Sequence, residues 1–518
     1  MAQVNFAFSD LEELIPISKE DAIETLTMLG FPAEETADGG LTVEVTPNRP
    51  DALCVEGIAR ALRDYKSGEP KKYSIGASGI DVSVDSSVSD VRPAFGCAVV
   101  RGLAMTDSFL RSIMQVQEKL HETLGRKRRK VAIGIHDLDK VKPPFRYFAC
   151  GNEDVSFVPL ERSEKMTPNE ILRRHDKGMA YSHLVGEKCP MISDRNGDIL
   201  SFPPIINGEL SKLTERTENI FIDCTGTSAE AVRQAVNILV AMLAERGGRI
   251  EEASVNGAPY KLLQEKKWAL PVKESERLLG VKLSKEEVAS YLSKMGHRIE
   301  GEFAFVAGYR ADVINEVDLI EDVAIAYGFN NFEPKLPEFA SVGGAAAESP
   351  YHGLLIGLGY DEAMSWNLAN RKLSEKAQLP QSESIEIENP LTEDFTMFRD
   401  ALLPNLLAIL GESKNEKLPI KLYEVGTVGS PALEKKLCIV SMHARASFSE
   451  IKGTLQALLE SSGKNYEIVA EEFPPFAGGR CASLLVDGKK IGYFGEIAPQ
   501  VLENFGLEQP VCAAELGL

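Results

Sequence analysis

Four acidic side chains between residues 312 and 322 have a spacing that could bind a cation. Asp318, Glu321 and Asp322 stand at positions i, i+3 and i+4, so a helix would place them on one face. Like charges at this spacing repel each other by roughly 0.3 kcal/mol per pair, and a hard cation with oxygen ligands would remove that repulsion. Asp312 lies just before the helix. The pattern suggests a Mg²⁺ site, and a solvated acidic helix start is the alternative.

Two other segments combine polar side chains with a restricted backbone. The string SFPPIIN, from Ser201 to Asn207, contains two prolines, which force an extended path and remove two backbone donors. Asp223 and Thr225 end a strand just before a helix, where backbone N–H groups point at whatever binds there. Together the two segments predict a pocket without specifying its ligand. Ordinary turn and cap chemistry would explain any one of these residues alone.

Five consecutive basic residues, Arg126 to Lys130, form the densest positive segment of a chain whose net charge is -20. With that overall charge, a polyanion would have to bind at a local basic patch. Charge alone favours the simpler interpretation, a solvated helix end.

An internal repeat defines the elements that must position these residues. The strings LIPISKEDAIETLTMLG (14–30) and LGVKLSKEEVASYLSKMG (279–296) each predict a helix with a serine N-cap and a glycine stop. The caps are Ser18 and Ser284, and the stops are Gly30 and Gly296. Each copy continues to an Arg-x-Asp triplet, at Arg49–Asp51 and Arg310–Asp312, and then to a second helix.

The repeat predicts an α+β multidomain chain in which two small helix-strand modules, 1–70 and 268–342, flank a β-rich domain at 85–265. Within that domain, Thr227 and Glu230 match a capping box that begins a helix ending at Gly247-Gly248. A linker at Gly343-Gly344 precedes a last α+β domain, 345–518, with a hairpin turn at Asp487-Gly488.

The bulk properties are those of an ordinary protein of several domains. The 518 residues are 44% hydrophobic and 26% charged, and no apolar run approaches the roughly 20 residues that a membrane helix needs. No secretory signal is apparent at the N-terminus. The eight cysteines include no Cys-x-x-Cys pair, which argues against zinc or a disulfide framework and favours a reducing cytoplasm.

Several long strings resemble landmarks of one family over the whole chain. In order, TPNRPDALCVEGIARAL, KVAIGIHDLDKVKPPF, LSFPPIING, NIFIDCTGT, the 309–328 segment and NPLTEDFTMFRDALLPNLL are similar to the phenylalanyl-tRNA synthetase beta subunit family, in its archaeal/eukaryotic form. The resemblance implies an editing, tRNA-binding domain in the insert. It also implies an alpha subunit as partner in an α2β2 heterotetramer, tRNA(Phe) as substrate and a cytoplasmic location.

The resemblance implies roles for particular residues as well. The acids Asp312, Asp318, Glu321 and Asp322 would help to hold Mg²⁺ at the boundary with the alpha subunit. The last domain would be a class II synthetase-like antiparallel-sheet core without catalytic duty, since the chain has no P-loop and no late arginine for ATP. ATP-dependent attachment of phenylalanine would then belong to the alpha subunit.

Editing of mischarged Tyr-tRNA(Phe) is the expected activity of this chain. We expect Ser201, Asn207, Asp223 and Thr225 to line the editing pocket, with Gly134, His136 and Asp137 on the opposite wall. A lone histidine beside a turn is more often structural than catalytic. Ser228 stands where the family commonly has an acid, which puts any substrate contact by that acid in question.

Two alternatives remain open from the sequence. The chain could be a free-standing aminoacyl-tRNA deacylase, or a non-catalytic structural subunit whose editing pocket has decayed.

Overall fold

The computed structural model describes residues 2–336, 343–344, 349–380, 383–413, 415–429 and 432–518. They divide into two units, Met1–Leu336 and Pro337–Leu518. The linker predicted at Gly343-Gly344 adjoins segments outside the described residues. Strands and helices are numbered below in chain order.

Each copy of the repeat folds into a three-stranded antiparallel sheet covered by helices. The first copy has sheet order β1-β3-β2 and consists of β1 (Ala2–Phe6), α1 (Phe8–Glu12), α2 (Lys19–Met28), β2 (Ala33–Glu35), β3 (Leu41–Val45) and α3 (Val55–Ser67). The second has order β14-β16-β15 and consists of β14 (Lys266–Ala269), α8 (Val272–Leu279), α9 (Lys285–Lys294), β15 (Arg298–Glu300), β16 (Phe303–Val306) and α10 (Glu316–Tyr327).

The predicted caps of the repeat are confirmed. The Ser18 side chain accepts a hydrogen bond from the Asp21 N–H, and Ser284 forms a full capping box with Glu287. The glycine stops have left-handed φ values of 82° and 85°, which side chains with a Cβ avoid. The Arg-x-Asp triplets form the same buried ion pair, since the Nε–Oδ1 distance is 2.9 Å both for Arg49–Asp51 and for Arg310–Asp312.

A ten-stranded mixed sheet occupies the insert, in the order β10-β9-β8-β7-β4-β12-β5-β11-β6, with β13 paired to β12. Its strands are β4 (Ile75–Val84), β5 (Ala94–Arg101), β6 (Val131–Asp137), β7 (Phe145–Gly151), β8 (Lys188–Ser193), β9 (Ile199–Phe202), β10 (Ile206–Asn207), β11 (Ile220–Gly226), β12 (Arg249–Val255) and β13 (Ala258–Pro259). Its helices are α4 (Asp107–Glu122), α5 (Pro168–Arg174), α6 (Asp176–Tyr181) and α7 (Ala229–Glu245).

Helix α7 is capped differently from the prediction. Its N-cap is Ser228, whose side chain accepts a hydrogen bond from the Ala231 N–H. The capping box predicted for Thr227 and Glu230 is therefore wrong, because the helix begins one residue later. The Thr227 hydroxyl instead donates to the carbonyl of Arg129, and Glu230 pairs with exposed side chains of its own helix.

One hydrophobic core joins the first repeat module to the insert. Val4, Leu26 and Ile58 of the module belong to the same buried cluster as Ile222 of β11 and Val236 of α7. Nearly all of α7 is buried, because it lies against β5 and β11 on one side and against α3 on another. The other face of the large sheet has its own core, which includes Phe145, Tyr147 and Phe221.

The second unit is built on a seven-stranded sheet in the order β17-β20-β21-β25-β24-β23-β22, antiparallel except for β17 and β20. Its strands are β17 (Asp361–Glu362), β20 (Ile420–Gly429), β21 (Leu433–Met442), β22 (Tyr466–Ala470), β23 (Phe476–Val486), β24 (Lys489–Ile497) and β25 (Val511–Gly517), with β18 (Leu368–Ala369) and β19 (Met397–Phe398) forming a separate pair. Its helices are α11 (Tyr351–Gly357), α12 (Arg371–Lys376), α13 (Leu403–Glu412), α14 (Phe448–Ser461) and α15 (Pro499–Asn504). The turn predicted at Asp487-Gly488 is confirmed, with φ values of 48° and 77°.

All eight cysteines are free thiols, and all except the partly buried Cys150 are buried, as their spacing predicts. None of the helices in the described ranges combines the length and the hydropathy needed to cross a membrane.

A buried carboxyl group lies between the two repeat modules and makes stability depend on pH. Asp64 of α3 lies close to Gly296 of the second copy. Its Oδ1 accepts no hydrogen bond from the residues that the structure describes, and the nearest cation, Arg63, is 3.6 Å away. Burial raises the pKa of Asp64 to about 6.

Because an acid with a raised pKa in the folded state destabilises that state once it is ionised, Asp64→Asn is expected to increase the free energy of unfolding by roughly 2–3 kcal/mol at pH 7.5. The gain should fall to about half at pH 5 and to about a fifth at pH 4, and it should vanish below about pH 3, where the carboxyl is protonated in both states. Calorimetric unfolding across this pH range measures it. A gain that does not change with pH would contradict this assignment.

Candidate functional site

A cavity of ≈ 330 Å³ opens on the insert between the end of α4 and the turn that joins β9 to β10. This size is at the low end for a small-molecule site. Its walls come from α4, the segment after α4, the first half of β6, residues 160–161, one side chain of α6, the SFPPIIN string and one side chain of β11. The polar residues that line it are Gln117, Glu118, His121, Arg128, Glu161, Lys177, Ser201, Asn207 and Asp223.

Ser201 and Asn207 lie side by side at this cavity. They face each other as partners in the β9–β10 ladder, which the turn at Pro203-Pro204 closes. The Ser201 side chain is 1% exposed, and its Oγ has no hydrogen-bond partner among the described residues. A buried hydroxyl without a partner is costly, so this group is available for a ligand or a water molecule.

Asp223 presents its carboxylate to the same cavity and is held there from behind. Its Oδ2 is 2.7 Å from Nε2 of His136, and Nδ1 of His136 is 2.7 Å from Oγ of Ser211. All three side chains are buried, and neither His136 nor Ser211 lines the cavity. The three side chains therefore form a hydrogen-bonded Ser-His-Asp series. Its carboxylate lies at the cavity, and its hydroxyl lies away from the cavity, behind the histidine.

Gly134 makes this arrangement possible because it lies directly opposite Asp223 in the β6–β11 ladder. A Cβ at this position would lie 2.7 Å from Nε2 of His136 and even closer to the Asp223 carboxylate. The glycine therefore leaves the space through which the two side chains meet.

Thr225 and Asp137 do not reach the cavity. Thr225 is not among the residues that line the cavity, and its hydroxyl accepts a hydrogen bond from Nε of Arg92 at 3.0 Å. Asp137 is bound to the Thr217 hydroxyl at 2.7 Å and to Lys140. Both residues hold the scaffold together, which spacing alone could not distinguish from lining the pocket.

Two residues that line the cavity, His121 and Arg128, were not predicted from the sequence. His121 accepts a hydrogen bond on Nε2 from the Ile133 N–H, so its proton is on Nδ1, which has no partner among the described residues. Burial, with Arg128 nearby, holds the pKa of His121 well below its ordinary value, so the ring is neutral. Arg128 is 6% exposed and donates to the carbonyl of Ile205 at 2.8 Å. The basic run was visible in the sequence, but the solvated helix end favoured for it is wrong at Arg128.

The four acids of the second module are brought near one another, but most are already engaged. Asp312 and Asp322 both bind the guanidinium of Arg310, at 2.7 and 2.8 Å, and Asp322 also binds His297 at 2.6 Å. Asp318 accepts the N–H groups of Ile314 and Asn315 as the N3 residue of the capping box of α10, whose N-cap is Asn315.

Glu321 is the most exposed of the four acids. Its pKa is raised by burial and then by Asp322, Asp312 and Asp318. Within the described ranges no three acidic, histidine or cysteine side chains are arranged to hold one ion. The chemistry of the acids suits a hard cation, but their geometry in this chain alone does not fit one.

Comparisons with known proteins identify the family of this chain. Sequence models of known families match the B3/4 domain at residues 111–250, the tRNA synthetase B5 domain at 268–329 and the phenylalanyl tRNA synthetase beta chain CLM domain at 343–518. The phenylalanine–tRNA ligase beta subunits of Methanothrix thermoacetophila and Archaeoglobus fulgidus are 39% and 40% identical to it, over 100% of this chain and 100% and 98% of theirs. The chain belongs to the phenylalanine–tRNA ligase beta subunit family.

The solved structures agree for the first unit. An N-terminal fragment of the phenylalanyl-tRNA synthetase beta-subunit from Pyrococcus horikoshii is 35% identical, with a TM-score of 0.59, and the match covers 63% of this chain and 99% of that one. The family predicted from the sequence is confirmed, and so is the assignment of the chain to this ligase.

The dependence of the Asp223–His136 contact on a glycine can be tested. We expect Gly134→Ala to push the two side chains apart and to lower the free energy of unfolding by roughly 1–3 kcal/mol. Gly186→Ala is the matched control, because nothing lies within 4 Å of the added Cβ there. Thermal unfolding of both variants measures the difference. Equal stabilities would show that the pocket wall tolerates a side chain at residue 134.

Proposed function

We propose that the cavity in the B3/4 region hydrolyses the ester of tRNA(Phe) that carries tyrosine, while the chain as a whole supports an alpha subunit that attaches phenylalanine. The observation that carries the proposal is the set of groups at one small cavity. Ser201 and His121 have unpartnered polar atoms there, and Asp223 is held in place by His136.

A separate hydrolytic site has a physical reason. An apolar pocket built for phenylalanine rejects an added hydroxyl by only about 10²-fold. A polar pocket that accepts the hydroxylated side chain and cleaves its ester corrects the remaining errors. The cavity combines an apolar lining with the polar groups of Ser201, His121 and Asp223, which a phenylalanine pocket would not need.

The reaction requires little from the protein, because an aminoacyl ester is already reactive. Water attacks the ester carbonyl, the bond to the ribose oxygen breaks, and a proton passes to that oxygen, which releases tyrosine and free tRNA. The carboxylate of Asp223 can hold the attacking water as an acceptor. The Ser201 hydroxyl and the His121 Nδ1–H can donate to the oxygen on which negative charge develops.

Asp223→Ala and Ser201→Ala are expected to slow hydrolysis of Tyr-tRNA(Phe) by roughly 10²-fold, the usual effect of losing one positioned polar group. His121→Leu should slow it as well, because leucine has no donor to replace the Nδ1–H. Phenylalanine attachment by the complete assembly should be unchanged in all three variants. Ser228→Ala, which changes only the cap of α7, is the control. The assay follows release of labelled tyrosine.

The result also separates the alternatives. If the wild-type assembly leaves the ester intact, the chain is a structural subunit with a decayed pocket. If the chain alone, without an alpha subunit, cleaves the ester at the full rate, it is a free-standing deacylase.

The second unit offers a surface for the alpha partner. Met364, Trp366 and Leu391 are at least three-quarters exposed, and the Trp366 ring meets Phe395 at 6.3 Å. Exposed tryptophan and methionine are typical of interface centres. The mainly antiparallel sheet beside them fits a class II-like core. Arg480 of β23 is exposed and pairs with Glu496.

An α2β2 assembly through this surface makes a clear prediction. Trp366→Ala should weaken association with the alpha subunit by at least 2 kcal/mol, or roughly thirtyfold in the dissociation constant. Leu433→Ala, an exposed apolar residue at the start of β21, is the control. Analytical ultracentrifugation of mixed subunits measures both. If the Trp366 variant assembled as tightly as the wild type, the surface around Trp366 would not be the interface with the alpha subunit.

Mg²⁺ stays part of the proposal only as an ion shared with that partner. Glu321 and Asp318 are the acids that Arg310 does not bind, so further ligands would have to come from the alpha subunit or from water. The exposed apolar residues Ile314 and Val317 are close in sequence to these acids and suit a contact with a partner protein.

A further inference from the structure

The segment after α4 has an unusual backbone. Arg126, Lys127 and Arg128 have φ values of 47°, 54° and 64°, so three consecutive residues with side chains are left-handed. Each is disfavoured relative to ordinary backbone, because Cβ approaches the following carbonyl oxygen. Such strain persists only where the surrounding structure enforces it, and it is concentrated at functional sites.

Several contacts enforce this turn. The Arg128 N–H donates to the carbonyl of His121, and the Lys130 N–H donates to that of Gly125. From below, the buried guanidinium of Arg92 donates to the carbonyls of Arg128 and Arg129, at 3.0 and 3.3 Å. The turn is therefore built from the inside of the domain.

The turn separates one basic side chain from the others. Arg128 points inward, where it lines the cavity, binds Glu118 and lies 4.6 Å from the centre of the Tyr181 ring. Its Nε is buried and has no hydrogen-bond partner among the described residues. Arg126, Lys127 and Arg129 are exposed, and none has an acidic partner within the described part of the chain. A right-handed helix would have distributed these side chains around its axis.

We propose that this left-handed basic turn binds the phosphates of the single-stranded 3′ end of a tRNA whose terminal ester enters the cavity. The choice of RNA as partner rests on the proposed function. The Cα atoms of the three exposed basic residues lie within about 4–8 Å, along the chain, of the Cα of Arg128, which lines the cavity. They are therefore within reach of a strand whose end occupies the cavity.

The chemistry favours single-stranded nucleic acid over other anions. Proteins that bind single strands combine positive groups along the backbone with aromatic rings at the base positions. Here Tyr181 is half-buried beside the turn, and exposed Met114 lies at the cavity. A chain of net charge -20 repels polyanions elsewhere, so unpaired basic residues at one site carry most of the attraction.

The test compares two triple variants of the full chain. Arg126→Gln, Lys127→Gln and Arg129→Gln together remove the charges and keep long side chains on the strained backbone. Lys165→Gln, Lys188→Gln and Arg216→Gln remove the same charge from exposed positions of the same domain that do not line the cavity. Binding of labelled tRNA(Phe) transcript, with and without its 3′ CCA, is measured by fluorescence anisotropy over a series of KCl concentrations.

We expect the basic-turn variant to bind the complete transcript roughly ten- to a hundredfold more weakly at low salt, with a dependence of log K on log[KCl] that is shallower by about 2. The control should match the wild type, and for the transcript without CCA all three proteins should agree. Equal slopes for the two variants would overturn the proposal. So would competition by polyglutamate at equal charge concentration, which would show a general anion surface.

This outcome is independent of hydrolysis. If the assembly does not cleave Tyr-tRNA(Phe) and the slopes still differ, the proposed editing activity fails and the RNA surface stands. If cleavage is normal and the slopes are equal, the proposed editing activity stands and the proposed RNA surface fails.

Discussion

The geometry of the pocket depends on one buried cation, Arg92. Its guanidinium binds both the hydroxyl and the carbonyl of Thr225 on β11 and the carbonyls of Arg128 and Arg129 in the left-handed turn. Burial lowers the pKa of Arg92 to about 10, so it stays charged at neutral pH while its hydrogen bonds go to neutral acceptors rather than to a carboxylate. Five N–H donors in a fixed plane suit this task, which a lysine could not perform. Loss of this side chain would release the strand and the turn together.

The domain orders its polar groups in layers behind the cavity. Asp223 faces the ligand space, and His136 and Ser211 hold it from the rear, so the serine that would be the nucleophile in a hydrolytic triad is out of reach of a substrate. The arrangement suits a reaction in which water is the nucleophile and the protein supplies position and hydrogen bonds. The repeat modules form the frame, since the first module shares its core with α7, the helix that packs behind β11.

Local patterns in the sequence predicted the repeat, its caps and its Arg-x-Asp ion pairs, because each depends on residues a few positions apart. They also singled out Ser201, Asn207 and Asp223, which the structure places at one cavity. Thr225 lies on the same face of β11 as Asp223, so the strand pattern could not separate them. Its hydroxyl is taken by Arg92, a contact that is distant in sequence. His121 and Arg128 were missed because their role depends on contacts with Ile133 and Ile205, which are distant in sequence. The four acids between 312 and 322 showed the spacing of a metal site, but spacing could not reveal that Arg310 already pairs with Asp312 and Asp322.

We propose that the Ser201 hydroxyl and the His121 Nδ1–H, which have no partner among the described residues, bind an aminoacyl ester. It is tested most directly by nitrogen NMR of histidine-labelled chain with a non-cleavable analogue, tyrosine joined to the 3′ position of adenosine through an amide. We expect the analogue to shift the Nδ1 resonance of His121 as its hydrogen bond forms. The phenylalanine form of the analogue should shift it less, and Ser201→Ala should reduce the affinity for the tyrosine form. An unchanged His121 resonance at saturating analogue would contradict it.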